Sequence, residues 1–357
     1  RYGLEERTRD FFHAWNDCLQ RYAINEGVDF VLIGGDLFDR RQIDPQAANH
    51  AIIGLEKLKT AGIPVFAIEG NHDQRETGAE FSWLRGLSQW RFLRLLEPVH
   101  RDGVIEYRAW DEDRREGGYA DCKGVRIFGS RWYGVTTSNV IPQLREAIRP
   151  HLRENGYNVM LLHTEVEGQL TRPIPSVSAS KLLQLRDCVQ YLALVHIHKN
   201  FVIDGWAFNP GSLEAATMDE YREKRGAYLV ELRDGQVYAE LVRDYRQRPF
   251  IFDSFDLSRC GDPEQASQQL QQHLMELCSR NQFEYAPIVE MKLEGRVSFK
   301  TSLMRLDEVK EQVRSSKPIL DIVFRNETIP IEYAVAADLG VGTTRSEREM
   351  RVLEDLV

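Results

Sequence analysis

The chain has 357 residues, enough for two domains or one large domain with an appendage, and its 42% hydrophobic content can fill a sizeable core. Its net charge of −9 counts against a nucleic-acid binder when taken alone, although bound cations and local arginines can offset acid at a site. No apolar run reaches the length of a membrane span and no signal-peptide pattern opens the chain, while five scattered cysteines (Cys18, Cys122, Cys188, Cys260, Cys278) fit a reducing compartment rather than a disulfide framework or a thiolate zinc site.

Residues 5–24 read as an amphipathic helix, with Phe11, Phe12, Trp15, Leu19, Tyr22 and Ala23 at helical spacing. VDFVLIGG reads as a fully buried strand, and it stops abruptly at Asp36. A second helix is expected over 45–61, closed by Gly62. IPVFAIEG is another continuous apolar strand and leads into Asn71-His72-Asp73. A helical stretch over 79–90 follows. Segments 105–110 and 125–129 are expected to be extended, with the charged turn DEDRREGG solvated between them. Residues 138–155 read as helix. YNVMLLH and YLALVH are buried strands ending in His163 and His196, with a short helix over 179–185 between them. FVIDGWAF reads as a sheet hairpin, which makes Phe201 and Trp206 core residues more than base-stacking ones. GAYLVELRDGQVYAELV is a second hairpin, turning at Asp234-Gly235. Alternating helices and apolar strand blocks imply an α/β layer architecture with a largely buried sheet.

The texture changes after YRQRPF, which puts a domain boundary near Arg248: 1–248, then 249–330, then a tail over 331–357. Asp262-Pro263-Glu264-Gln265 is a well-formed helix start. PIVEMKLEG alternates, with Val289, Met291 and Leu293 on one face and Glu290, Lys292 and Glu294 on the other, as in a half-exposed strand. A helix over 303–314 and the strand ILDIVF complete a small α+β unit. The tail ends in a stripe of Met350, Leu353, Leu356 and Val357, suited to the start of a partner-binding helix or to packing on its own domain.

Four apolar strands thus end in potential metal ligands: Asp36, Asn71-His72-Asp73, His163, and His196-Ile197-His198. Loops beyond the carboxyl ends of parallel strands form the binding crevice of an α/β sheet, so four distant segments are expected to converge. Aspartate, asparagine and histidine together suit a divalent ion such as manganese, iron or zinc. Alternate residues of an extended segment point the same way, so His196 and His198 can face one site, each toward a different ion, with Asp36 bridging the two. Any one of these motifs has a bland explanation as a turn or a core histidine; the four together do not.

GDLFD (35–39), GNHD (70–73), the strand end at His163 and HIH (196–198) resemble the calcineurin-like metallophosphoesterases. LFDRRQIDP, FNPGSLE and the unit containing PIVEMKLEG narrow the resemblance to the SbcD-type subunits of bacterial DNA double-strand-break repair nucleases. That resemblance implies a layered α/β metallophosphoesterase sandwich with a small C-terminal α+β cap domain. It implies two divalent metal ions, most simply Mn²⁺, with Asp36 bridging, Asn71, His163 and His196 on one ion and His198 on the other. His72 would act at the leaving oxygen, with Asp39 orienting it. Arg40, Arg41, Arg75 and Lys199 would contact DNA phosphates. The implied activity is phosphodiester hydrolysis in DNA, in the bacterial cytoplasm at the nucleoid, with an SbcC-like ATPase partner, a possible homodimer and no membrane. The rival readings are a small-nucleotide phosphodiesterase or phosphatase, and a catalytically impaired subunit that binds DNA ends or the ATPase.

Two departures from the family pattern matter. The family opens with Asp-x-His on its first strand and this chain has none, so a truncated first strand and a weakly occupied His198 ion are expected. Val195 stands where the family usually has glycine before His-x-His, and a β-branched residue there is expected to displace His196.

Overall fold

The computed structural model describes residues 4–75, 81–170, 175–280 and 283–331. The stripe from Met350 to Val357 lies outside the described residues. The chain divides into two compact units, Arg1–Gln247 and Arg248–Val357.

The first unit is a layered sandwich. A three-stranded parallel sheet runs Val31–Ile33, Val65–Ala67, Arg94–Leu95. A six-stranded sheet runs Phe201–Ile203, Ala207–Asn209, Tyr191–Val195, Tyr157–His163, Val125–Phe128, Tyr119–Cys122. Its four inner strands are parallel, and the strand at each margin is antiparallel to its neighbour. Strand Tyr157–His163 shows why its sequence is apolar without interruption. Val159 and Leu161 pack with Phe66, Ile68 and Leu96 between the sheets. Met160 and Leu162, pointing the other way, pack on Ile141, Leu144 and Ile148 of the helix Thr137–Ile148. A strand covered on both faces has no polar positions to spare. The outer face of the three-stranded sheet buries Ile33, Val65 and Ala67 against Leu55 and Leu58 of helix Pro45–Thr60 and Leu84 and Leu87 of helix Trp83–Gln89. The layered α/β sandwich expected from the sequence is therefore the architecture found.

Local chemistry sets the element ends. The Asp44 carboxylate accepts from the Ala47 N–H at 2.8 Å and starts helix Pro45–Thr60. Helix Glu5–Cys18 continues as a π-helical turn over Leu19–Ile24. The hairpin Ala227–Arg233/Gln236–Val242 turns at Asp234 and Gly235, with φ of +52° and +73°, as a two-residue turn of the primed type requires.

Several expectations need correction. The helix expected over 138–155 stops at Ile148 and tightens into a 3-10 turn, Arg149–His151, because Pro150 has no N–H to continue the helical hydrogen-bond ladder. The segment over 125–129 does not pair with 105–110. Val125–Phe128 forms a hairpin with Tyr119–Cys122, a strand too short and too polar to stand out in the sequence. VDFVLIGG is extended only over Val31–Ile33, and only Ile33 is fully buried. Among the described residues this strand pairs only with Val65–Ala67. Its other side faces an open cavity of about 1020 Å³ lined by Leu32, Val159, Tyr191, Ala193 and Leu229 among others. An apolar run looks the same whether the strand is central or at such an edge.

The second unit holds three parallel strands, Phe250–Asp256, Ile288–Glu294 and Asp321–Asn326, with Ile288–Glu294 in the centre. Helices Pro263–Arg280 and Leu306–Ser316 contribute Leu270, Leu274, Val309 and Val313 to a core with Val289, Met291 and Leu293. Asp262 caps the first helix through the Gln265 N–H at 2.8 Å, and the Gln265 side chain accepts from the Gly261 N–H at 2.7 Å. The central strand is less exposed than its alternation suggests. Glu290 is 4% exposed and paired with Arg325 at 3.5 Å, since a central strand has both faces covered.

All five cysteines are free thiols, four of them buried and Cys122 partly so. Among the described residues no helix is long and apolar enough to cross a membrane.

Candidate metal centre

The two sheets of the first unit bring the carboxyl ends of four strands together. After Ile33 the chain turns through Gly34 and Gly35 and reaches Asp36 at a φ of +52°. The Asp36 Oδ1 accepts from the backbone N–H of His72 at 2.9 Å. Its Oδ2 lies 3.3 Å from His163 Nε2. Burial alone would raise Asp36, but the positive charge that His163 carries when both its ring nitrogens are protonated, together with the His72 N–H, holds it below the usual carboxylate range.

His163 ends strand Tyr157–His163 and is completely buried. Its Nδ1 lies 3.0 Å from the carbonyl oxygen of Gly34. A carbonyl only accepts, so Nδ1 carries the proton and Nε2 presents its lone pair to the site. That lone pair meets the Asn71 Oδ1 at 3.1 Å and the His196 Nδ1 at 2.9 Å, and Asn71 Oδ1 is 3.0 Å from His196 Nδ1. Asp36, His163 and His196 each offer a ligand atom within 4.8 Å of the others. The fit to a divalent cation is direct. Acceptors from four loops face one another with too few protons to go round, which a cation satisfies. The mix of imidazole, carboxylate and amide oxygen suits a borderline divalent ion.

The structure thus brings together Asp36, Asn71, His163 and His196. His198 stands apart from that group. It is exposed, and its Nδ1 lies 2.9 Å from Glu220 Oε1. Among the described residues there is no second group of three or more such ligands. The His72 ring is exposed and lines the cavity beside Asp36. The expected orienting contact from Asp39 is not made. Asp39 is exposed and its carboxylate sits on Arg40 Nε at 3.3 Å instead, because its loop turns outward beyond the buried Phe38. Arg40, Arg41 and Arg75 are exposed and Lys199 is partly buried. Phe201 packs against the core, and Trp206 is buried with its indole N–H donating to the Val189 carbonyl at 2.7 Å.

Asp73, expected among the potential metal ligands, has a structural task, and two carboxylates that the sequence does not mark, Glu165 and Glu220, contact the histidines. Asp73 is buried and accepts from the N–H groups of Leu37, Phe38 and Gly70 at 3.3, 3.3 and 3.2 Å. It staples the Asp36 loop to the GNHD loop. Burial, then the nearby Asp36 charge, pushes it up to about 7. Glu165 Oε1 lies 3.1 Å from His196 Nε2, and Glu220 holds His198 as described.

Val195 does not push His196 out of the group. It ends its strand paired with His163, and the turn to His196 is taken at a φ of +107°. The room comes from Gly34: a Cβ there would sit 2.2 Å from one Val195 methyl and 2.7 Å from the other. Gly34→Ala is therefore expected to destabilise the protein by about 1–3 kcal/mol, and adding Val195→Ala should recover most of that loss in a denaturant titration. Additive effects of the two changes would remove this packing explanation.

Comparison with known proteins gives a consistent picture. The family described as calcineurin-like phosphoesterase matches residues 8–199. The chain is similar to the DNA double-strand break repair protein Mre11 of Sulfolobus acidocaldarius, 21% identical over 100% of this chain and 91% of that protein. It is similar to the protein of the same name in Archaeoglobus fulgidus, 26% identical over 86% of this chain and 68% of that one. In Aeropyrum pernix the corresponding protein is 40% identical over 68% of this chain and 57% of its own length.

Proposed function

The chain belongs to the calcineurin-like phosphoesterase family, and from that premise we propose that it is a metal-dependent nuclease that hydrolyses phosphodiester bonds in DNA during strand-break repair. The observation that carries this reading is the convergence of Asp36, Asn71, His163 and His196 at the ends of four strands. The DNA substrate is favoured by relatives whose names specify double-strand break repair, one of them aligned along the whole chain. Divalent ions bound there, Mn²⁺ first among the candidates, would polarise the phosphate and stabilise the charge that develops on its oxygens.

The chain's own residues then have distinct tasks. Asp36, Asn71, His163 and His196 would hold one ion, and His198 would serve a second. The His72 imidazole, at the open mouth, gives a proton to the leaving oxygen. Replacing it as His72→Asn should lower turnover roughly 10²-fold while leaving Mn²⁺ affinity in place; full turnover in that variant would take His72 out of the reaction. Arg40, Arg41, Arg75 and Lys199 contact phosphates, so Arg40→Ala with Arg41→Ala should flatten the salt dependence of duplex binding. Residues 249–330 act as a cap that helps select DNA ends, and 331–357 lead to an SbcC-like ATPase. The test is direct: Mn²⁺-dependent loss of linear duplex DNA supports the reading, whereas hydrolysis of a small aryl phosphodiester alone would make the protein a small-nucleotide phosphodiesterase.

One observation favours a second reading. His198 is engaged by Glu220 and lies outside the group formed by Asp36, His163 and His196, and among the described residues no second group of three or more such ligands is present. A subunit that binds DNA ends with impaired catalysis fits that arrangement. Duplex binding without Mn²⁺-stimulated cleavage would establish it.

A further inference from the structure

The two histidines of the His-x-His segment each meet a carboxylate from a different part of the fold. Glu165 lies in the loop after strand Tyr157–His163, two residues beyond His163. Its Oε1 is 3.1 Å from His196 Nε2, and both side chains are largely buried, 14% and 17% exposed. The other ring nitrogen, Nδ1, faces His163 and Asn71 at 2.9 and 3.0 Å. Glu220 sits on the short helix Met218–Tyr221. Its Oε1 is 2.9 Å from His198 Nδ1, while its Oε2 accepts from the Ala216 N–H at 2.7 Å, which fixes the carboxylate in place.

A carboxylate accepts and does not donate, so each of these contacts decides which ring nitrogen carries the proton. We propose that Glu165 and Glu220 are positioning residues that lock the two histidines in opposite tautomers, Glu165 presenting His196 through Nδ1 and Glu220 presenting His198 through Nε2. The inference rests on the reading of these histidines as metal ligands and adds to it how each ring is held. His196 needs such a lock more than most residues, since its backbone stands at a φ of +107° and its ring must turn back into the group. A hydrogen bond from imidazole to a carboxylate orients the ring and makes the opposite nitrogen a better electron-pair donor. His163 has the same device with the Gly34 carbonyl in the carboxylate's place.

The test uses the full chain with nitrogen-15 labelled histidine, metal-free and in mildly alkaline buffer. The imidazole nitrogen shifts of wild type should show the proton of His196 on Nε2 and those of His163 and His198 on Nδ1. Glu165→Ala should turn His196 into a tautomer mixture and weaken Mn²⁺ binding, measured calorimetrically, by roughly 10–100-fold. Glu165→Gln, whose amide oxygen still accepts, should keep the tautomer with a smaller loss of affinity. The Glu220 variants should act on His198 in the same way and leave the His196 tautomer unchanged. Unchanged tautomers and unchanged Mn²⁺ affinity in the alanine variants would overturn the proposal. Wild-type protein that shows the expected tautomers yet takes up no Mn²⁺ would instead overturn the metal reading beneath it, so the two failures are distinguishable. Glu165→Gln and Glu220→Gln keep the test valid if an alanine variant fails to fold.

Discussion

Asp36→Asn is expected to abolish metal uptake at the centre and to lower DNA hydrolysis to background, roughly 10³-fold or more. The size follows from what is lost. Stabilisation of transition-state charge by a bound cation is several kcal/mol, and each 1.36 kcal/mol is tenfold in rate. Asparagine fills the same volume, so the fold should survive and the loss should be chemical. Asp36 is placed by its oxygens: Oδ1 takes the His72 N–H and Oδ2 faces His163. An amide in its place is neutral and keeps only one oxygen. Calorimetric titration with Mn²⁺ beside a duplex-degradation assay reads both effects. Retained uptake with retained cleavage in this variant would remove Asp36 from the centre.

Gly70→Ala is expected to be nearly as damaging although it touches no ligand's identity. A Cβ at residue 70 would sit 2.1 Å from Asp36 Oδ1 and 2.6 Å from His163 Cε1. No real contact is that short, so the carboxylate or the ring must move. His163 is completely buried and cannot swing aside, so Asp36 or the GNHD loop gives way. Displacement of reacting groups by even 1 Å costs on the order of 10² in rate. The expected outcome is a folded protein with a Tm lowered by a few degrees, weak Mn²⁺ uptake and turnover close to that of Asp36→Asn. Normal uptake and turnover would mean that the loops at the centre are not packed as described.

How much of this could be read from the sequence depends on whether a residue's role is local or tertiary. The layered sandwich was legible because strands such as Tyr157–His163 are buried on both faces and so are apolar throughout. The candidate ligands were legible because each lies at or just beyond the carboxyl end of an apolar strand. Val31–Ile33 was read as buried because an apolar run does not reveal that one side lies against an open cavity. Glu290 was read as exposed because alternation within one strand says nothing of the neighbours that cover both its faces. Glu165 and Glu220 escaped notice for a related reason. Carboxylates in loops are ordinary, and only the folded chain shows which imidazole each one holds. Val195 was misjudged because its space is provided by Gly34, a partner distant in sequence. Asp39 had the right chemistry beside the centre, but its loop carries it outward to Arg40.

The most direct test is a crystal of the protein soaked in Mn²⁺, with anomalous scattering recorded at the manganese edge. A peak bounded by Asp36, Asn71, His163 and His196 is the result expected here. Manganese found elsewhere, or none at those four side chains in a well-ordered crystal, would contradict it.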